Sequence, residues 1–589
     1  MKKSDEVFHD SIDHDSPGIY DINFDSEDII SAINEIPRTA ASGPDKFPVL
    51  LLKNCKYSLS KPLYMIWRKS MDSGEIPQLL KTANIVPIHK GGSRGEPANY
   101  RPVALTSHLI KLFEKIIRKH IVAFMEENEL FNPSQHGFRS GRSCLSQLIA
   151  HFDRISQLLE QGLNVDVVYL DFAKAFDKVD FLVTMEKLKG LGISGKLGRW
   201  IHAFLTNRKQ SVVLDGKRST HTDVKSGVPQ GSVLGPLLFL ILIGDIDQGI
   251  VSAYVSSFAD DTRAAHGVAT HQDVASLQAD LNTVYHWADK NNMKFNSKKF
   301  ECLRYGTDQE LKTTTQYMSN TGDVINTVEH ARDLGVIMSS DGTFRKHVDQ
   351  LVSKANLMCS WILRTFSTRD RTPMLTLWKS LVRSNIDYCC QLWYPTRACE
   401  VKALEQIQRS FIRKIAGMHG LSYWEQLSEL SLYSLERRRE RYVIMYMWRI
   451  LEGLTPNFND PNSGGIKCYW NPRRGRICNV PLVDRKAPAA IKRMRYSSFG
   501  IVGPTLFNVL PRVIRNSTGC SLDDFKRKLD NFLKTVPDEP LIAGYTAYRR
   551  TDSNSLIHMV RLAKAQQVEL GNPDSVSLAG GGQPWPPRI

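Results

Sequence analysis

The sequence predicts a chain of mixed strands and helices up to about residue 344, followed by a mostly helical stretch from 345 to 455. Three observations predict it. Short β-branched runs end in turn residues, as in Val165-Asp166-Val167-Val168-Tyr169-Leu170-Asp171-Phe172. Between such runs apolar residues recur every three or four positions, as in Ile110, Phe113, Ile116, Ile117, Ile121 and Phe124, the period of a one-sided helix. After Asp341-Gly342 only the second pattern continues.

A length of 589 residues suggests roughly two to four domains. A net charge of +16 and an isoelectric point near 9.3 point to a polyanionic partner. The first 35 residues are acidic, so the positive surplus lies downstream. The ten Cys have no C-x-x-C spacing, which argues against a disulfide framework or a zinc knuckle. The N-terminus has no apolar core of a signal peptide. The longest apolar stretch, Val233 to Gly244, is too short to span a bilayer and contains Pro236. The chain therefore reads as soluble and intracellular.

In order, residues 1 to 20 are a polar lead-in, and Ile29, Ile30, Ile33 and Ile36 follow helical spacing. Leu59 to Met71 reads as a helix ending at Gly74. Ala83 to Ile88 and Asn99 to Leu105 read as strands, and the connection between them is Gly-rich and flanked by Lys90 and Arg101. Two such cations could clamp a triphosphate, or could be ordinary surface charges. Gln135 to Arg142 is a basic loop with one aromatic, suited to tracking a nucleic-acid backbone. Residues 182 to 206 are helical in pattern, and 211–214 and 221–224 form a hairpin around Asp215-Gly216. Gly227 to Ser232 shapes a loop before a buried helix. Asp273 caps a helix with Val274, Leu277, Leu281, Val284 and Trp287 on one face. Asp333 to Met338 reads as one more strand. Two basic helix faces follow, one at Arg409, Arg413 and Lys414, the other at Glu436 to Arg441, and together they suggest a nucleic-acid surface. Residues 456 to 480 read as a linker, Ser498 to Arg512 as a compact apolar piece, and the tail as disordered.

The adjacent carboxylates Asp260 and Asp261, after the apolar run Ala253-Tyr254-Val255, are the candidate chemistry. Like charges this close repel, and a divalent cation removes that cost. The pair alone is weak, because Asp-Asp is common in polar loops. A third acid, Asp171, ends another apolar run.

Taken in order, Tyr169-Leu170-Asp171-Phe172-Ala173-Lys174-Ala175-Phe176-Asp177, Val228-Pro229-Gln230-Gly231-Ser232-Val233-Leu234-Gly235-Pro236 and Phe258-Ala259-Asp260-Asp261 resemble the palm motifs of non-LTR (LINE-type) reverse transcriptases. Asn99-Tyr100-Arg101-Pro102 and Gln135-His136-Gly137-Phe138-Arg139 resemble that family's finger motifs. The resemblance spans about residues 30 to 350, and Leu432 to Arg441 and Ser498 to Pro511 resemble the C-terminal part of CR1/Jockey-like proteins. It implies an α+β right-hand polymerase fold, with an antiparallel palm sheet carrying the acids. Fingers and palm would occupy 21–344, a helical thumb 345–455, a retrotransposon-type C-terminal region 456–545 and a largely disordered tail 546–589.

The resemblance implies an RNA-directed DNA polymerase acting in target-primed reverse transcription on an RNA template, a DNA primer and dNTPs. Two Mg²⁺ ions, with Mn²⁺ able to substitute, would sit roughly 3.5–4 Å apart. Asp171 and Asp260 would be their main ligands, with Asp261 more peripheral. Phe176 would exclude a ribose 2′-hydroxyl, and Gln230 would meet the incoming nucleotide. Lys90 and Arg101 would hold the triphosphate. Lys299, with Lys298 as competitor, would protonate pyrophosphate. Gly137, Phe138 and Arg139 would contact the template. Insertion chemistry implies the nucleus, with RNA binding in the cytoplasm beforehand. Lys46, Gly244 and Phe300 depart from the family pattern, which usually has Gly, Asn and Thr or Cys there. Nothing before residue 20 resembles an endonuclease, and nothing after the thumb resembles an RNase H. The chain therefore reads as a fragment of a retrotransposon protein. The alternatives are a catalytically silent, RNA-binding remnant and an intron-maturase type enzyme.

Overall fold

The computed structural model describes residues 17–395, 397–457, 465–539 and 554–569. Fourteen strands are present among them: β1 (Thr82–His89), β2 (Tyr100–Leu105), β3 (Asn164–Leu170), β4 (Arg208–Leu214), β5 (Lys217–Arg218), β6 (Thr222–Val224), β7 (Tyr254–Phe258), β8 (Asp261–Val268), β9 (Glu301–Tyr305), β10 (Asn326–Val328), β11 (His330–Asp333), β12 (Val336–Ser339), β13 (Cys468–Asn471) and β14 (Gly475–Cys478). The central sheet runs β10-β9-β3-β8-β7, antiparallel except for β10 on β9. A second sheet runs β2-β1-β4-β5 with β6 on β4; the expected turn at Asp215-Gly216 is present, but Val213 and Leu214 pair with Lys217 and Arg218, and Thr222–Val224 pair with 208–210 instead of 211–214.

The central sheet is covered on both faces. Val168 and Leu170 point into one core, shared with the helices His108–Glu127, Gly235–Ile243 and His271–Lys290. Val165 and Val167 point into the other, shared with the helices from 345 onward. A strand buried on both faces needs apolar residues at nearly every position, which is why β3 reads as a continuous run. Its one acid, Asp166, is fully buried and held by Arg304 at 2.8 Å and by the Tyr317 hydroxyl at 2.8 Å.

Several expectations are corrected. The helix His271–Lys290 starts at Thr270, not Asp273; Asp273 sits three residues in and closes a reciprocal capping box with Thr270. Residues 333–338 are not one strand. Leu334 and Gly335, both at positive φ, turn the chain between β11 and β12. The 456–480 stretch holds the β13–β14 hairpin, with 458–464 outside the described residues. Within the tail, Leu556–Glu569 is a helix whose Leu556, Ile557 and Val560 join the second core; residues 546–553 and 570–589 of that tail, and residues 1–16 of the lead-in, lie outside the described residues. Lys46 sits at φ 54°, the left-handed region that favours glycine.

The largest correction concerns Glu436 to Arg441. This run is not a basic surface. Arg437 is fully buried and donates to the carbonyls of Val536, Pro537 and Asn554. Glu440 accepts from the backbone of Leu556, Arg438 pairs with Asp387, and Arg441 pairs with Asp530. The charges tie the C-terminal segments to the helix Leu435–Leu451. Among the described residues no helix is long and apolar enough to cross a membrane.

Candidate active site

The register of three strands assembles the acids. Leu170 at the end of β3 pairs with Thr262 on β8, so Asp171 follows directly beside Asp261. Phe258 pairs with Asp261 across the tightest part of the β7–β8 hairpin, leaving Ala259 and Asp260 as the turn. Beyond β3 the chain pairs briefly with 294–296: Ala173 donates to the Lys294 carbonyl and Asn296 to the Asp171 carbonyl, each at 2.8 Å. That pairing delivers Lys299, whose Nζ lies 3.0 Å from Asp171 Oδ2.

Burial raises the pKa of Asp260, and the Asp171 charge raises it further, against Arg101 and Lys90, which lower it. Burial also raises Asp261, as do the charges of Asp260 and Asp171. The three carboxylates thus feel one another, and Lys90 and Arg101 act on Asp260 from the other sheet. Asp261, with Asp171, Tyr169, Lys298, Lys299 and Arg332, lines a cavity of about 360 Å³ between the central sheet and the β11–β12 hairpin. A buried Arg263–Asp333 ion pair fixes that hairpin to β8.

Among the described residues no three acid, His or Cys side chains converge as a complete metal site. The arrangement instead fits ions that take one or two carboxylates and complete their octahedron with water and substrate phosphates, as Mg²⁺ does. Carboxylates such as Asp260 and Asp261, with pKa values raised by burial and mutual charge, are the feature a cation would relieve.

The loop from Gly227 to Ser232 is tied to the segment after β3. Val228 donates to the Phe176 carbonyl and Gly227 to the Val179 carbonyl, each at 2.9 Å. Gln230 Nε2 donates to Asp177 Oδ1 at 3.0 Å, an orienting partner that sequence reasoning missed although Asp177 ends the quoted motif. The Gln230 carbonyl accepts from Ala104 at 2.7 Å, joining the loop to β2. Gly231 allows this approach: at φ +133°, a Cβ there would stand 2.5 Å from the Ala104 oxygen. Phe176 stacks on Phe239 with ring centroids 4.6 Å apart and meets Phe138 edge-on at 6.1 Å.

Of the three residues expected to contact template, the structure leaves Phe138 most exposed, at 46 %. Arg139 is turned inward, to Glu126, the Asn132 carbonyl and the Phe131 ring. Gly137 is packed against the acidic turn, where a Cβ would stand 2.5 Å from the Ala259 nitrogen.

That packing exposes a second missed residue, Gln135. Its side-chain oxygen accepts from both Gly137 N at 2.8 Å and Ala259 N at 3.0 Å. The chain around it adds backbone bonds, His136 N to the Ser257 carbonyl and Ser257 N to the Ser134 carbonyl. Ala259 sits at φ 56°, which costs a non-glycine residue of order 1 kcal/mol or more. Gln135 holds that strained residue immediately before Asp260. Gln135→Ala is expected to leave the Gly137 and Ala259 N–H groups without their acceptor and to destabilise the fold by about 1–3 kcal/mol, which chemical denaturation checks.

Residues 88–337 match the family described as "Reverse transcriptase (RNA-dependent DNA polymerase)". The chain is 30% identical over 351 residues to a probable RNA-directed DNA polymerase from transposon X-element of Drosophila melanogaster, covering 58% of this chain and 38% of that one. It is 27% identical over 371 residues to the RNA-directed DNA polymerase from mobile element jockey of Drosophila funebris, covering 60% and 40%. It is 25% identical over 439 residues to a probable RNA-directed DNA polymerase from transposon BS of Drosophila melanogaster, covering 72% and 48%. The chain thus spans less than half the length of these relatives. A solved apo telomerase from Candida tropicalis overlaps 48% of this chain and 59% of its own at 11% identity and a TM-score of 0.33, a likeness too loose to align elements.

Proposed function

We propose, for a chain that carries a reverse transcriptase domain of the jockey-like, non-LTR kind, that it extends a DNA primer on an RNA template using dNTPs and two divalent ions, as in target-primed insertion in the nucleus. The observation that supports this most is the set of Asp171, Asp260 and Asp261 at adjoining strand ends, with the pKa values of Asp260 and Asp261 raised by burial and Lys90 and Arg101 acting on Asp260. On this reading 21–344 form fingers and palm, 345–455 the thumb, and 456–545 a C-terminal region packed on both.

Asp171 and Asp260 would hold the ions, with Asp261 more peripheral. When bound, Mg²⁺ supplies the positive charge that activates the primer 3′-hydroxyl and offsets charge leaving with pyrophosphate. Lys90 and Arg101 bind the triphosphate oxygens. Gln230, held by Asp177, meets the incoming nucleotide. Lys299 leaves Asp171 and gives its proton to pyrophosphate. Phe138 supports the template base, and Phe176, backed by Phe239, fills the space a 2′-hydroxyl would need. Phe176→Val is expected to relax discrimination against rNTPs by about ten-fold or more, read as the ratio of kcat/KM for dNTP and rNTP.

The test is primer extension by purified full-length chain on an RNA template with a DNA primer, dNTPs and Mg²⁺. A DNA product that EDTA abolishes is expected. A correctly folded chain that yields no product removes the polymerase reading.

A further inference from the structure

The β13–β14 hairpin presents aromatic rings and cations outward, and neither the resemblance nor the site above uses it. From Gly465 to Leu522 the chain carries eleven Lys or Arg and one acid, Asp484. Three of these cations are committed inward. Arg476 pairs with Glu452, Arg495 with Glu160 and Asp153, and Arg515 donates to backbone carbonyls. Lys467, Arg473, Arg485, Lys486 and Arg512 stand exposed. On the hairpin itself Trp470 and Tyr469 are 61 % and 54 % exposed. An outward Trp is costly to leave in water and has a use where a planar partner stacks on it.

The hairpin is rigidly placed. Asn471 Oδ1 accepts from the backbone of Arg473 and Arg474, which fixes the turn and turns both residues out of the strand pair. Arg476 donates to the Leu451 carbonyl at 2.7 Å, seating the hairpin on the end of the helix Leu435–Leu451. The next turn of chain touches the finger loop: Thr455 Oγ1 donates to the Gly141 carbonyl at 2.7 Å. Gly141 follows Gly137-Phe138-Arg139 in sequence by two residues. The hairpin and the finger loop thus meet the same stretch, Leu451 to Thr455, beside the segment to which the proposed function gives the template strand.

We propose that the β13–β14 hairpin, through Trp470, Tyr469 and the surrounding Arg473, Lys467 and Arg512, binds single-stranded RNA, namely template that has not yet reached the acids. The chemistry matches: cations follow the phosphate backbone while exposed rings stack on bases of any sequence. An unpaired strand suits it because stacking requires bases free of a duplex. The proposal rests on the polymerase reading for the identity of the strand, but its test is independent of catalysis.

The experiment measures binding of a fluorescein-labelled, unstructured single-stranded RNA to full-length chain by anisotropy at several salt concentrations. Trp470→Ala is expected to weaken binding about five- to ten-fold, the lower range for losing one stacked base. Arg473→Gln with Arg512→Gln is expected to reduce the slope of log affinity against log salt by about 1.4, two phosphate contacts on a single strand. Both sites are exposed, so melting temperature should hold, as should extension on a template too short to reach the hairpin. If both variants bind this RNA like wild type, the proposal is overturned. Loss of duplex DNA binding with RNA binding intact also overturns it. A wild type that binds RNA through the hairpin yet extends no primer leaves this surface standing and defeats the polymerase reading alone.

Discussion

Asp171→Asn and Asp260→Asn are each expected to lower primer extension by on the order of 10³-fold, because a metal site that loses a charged ligand loses several kcal/mol of transition-state stabilisation and each 1.4 kcal/mol is ten-fold. Asp261→Asn, at the acid that the proposed function treats as peripheral, is expected to cost less. Stability should move the other way. Burial and mutual repulsion raise the Asp260 and Asp261 pKa values in the folded chain. A carboxyl with a raised folded pKa contributes stability when protonated, and that contribution is lost as pH rises through the folded value. In EDTA at neutral pH the ionised pair is therefore a burden. Asp260→Asn should melt about 1–2 °C above wild type there, and Mg²⁺ should raise the melting temperature of wild type more than that of the variant. Calorimetry with and without Mg²⁺ checks both. A variant that melts well below wild type in EDTA would show that Asp260 is a structural partner and not an unrelieved charge.

The acids were legible in the sequence because each ends a run whose register is locally encoded: β3 stops at Leu170, and β7 and β8 are joined by a two-residue turn. Gln135 and Asp177 were quoted with their motifs yet carried no role. Their work is a side-chain bond to residues far along the chain, Ala259 in one case and Gln230 in the other, and no spacing rule predicts such pairs. Helical spacing found the apolar stripe Val274, Leu277, Leu281, Val284 and Trp287, all buried. The same rule misplaced Glu436 to Arg441, because alternating charges on a helix look alike whether they meet water or one another. What buries them is the packing of residues 530–539 and 554–556 against that helix, a long-range event. The hairpin at 468–478 was hidden for a different reason: each strand has four residues, fewer than a period-two pattern needs to stand out among Pro, Asn and Gly.

Glu114 carries the second large effect, and it acts on folding of the Gln230 loop. It is fully buried on the helix His108–Glu127, where the sequence reads an amphipathic stripe. Its Oε2 accepts from Val233 N at 2.7 Å and Leu234 N at 2.9 Å, capping from a distance the apolar helix Gly235–Ile243, whose own N-cap, Leu234, offers no side-chain acceptor. Burial raises the Glu114 pKa, while those two N–H groups and the buried Arg208 lower it. Glu114→Ala leaves two buried donors unsatisfied and a void in a core. At about 1–3 kcal/mol per orphaned group, with a cavity term added, the expected loss is about 3–5 kcal/mol. Glu114→Gln keeps an acceptor oxygen and the shape, and is expected to lose about 1 kcal/mol. Because that helix start immediately follows Gln230-Gly231-Ser232, extension by Glu114→Ala should fall along with stability, and KM for dNTP should rise, whereas Glu114→Gln should stay near wild type. Chemical denaturation of the two variants, with dNTP titrations on the folded fraction, separates these outcomes; equal loss in both would mean that Glu114 matters for its charge and not for the bonds it accepts.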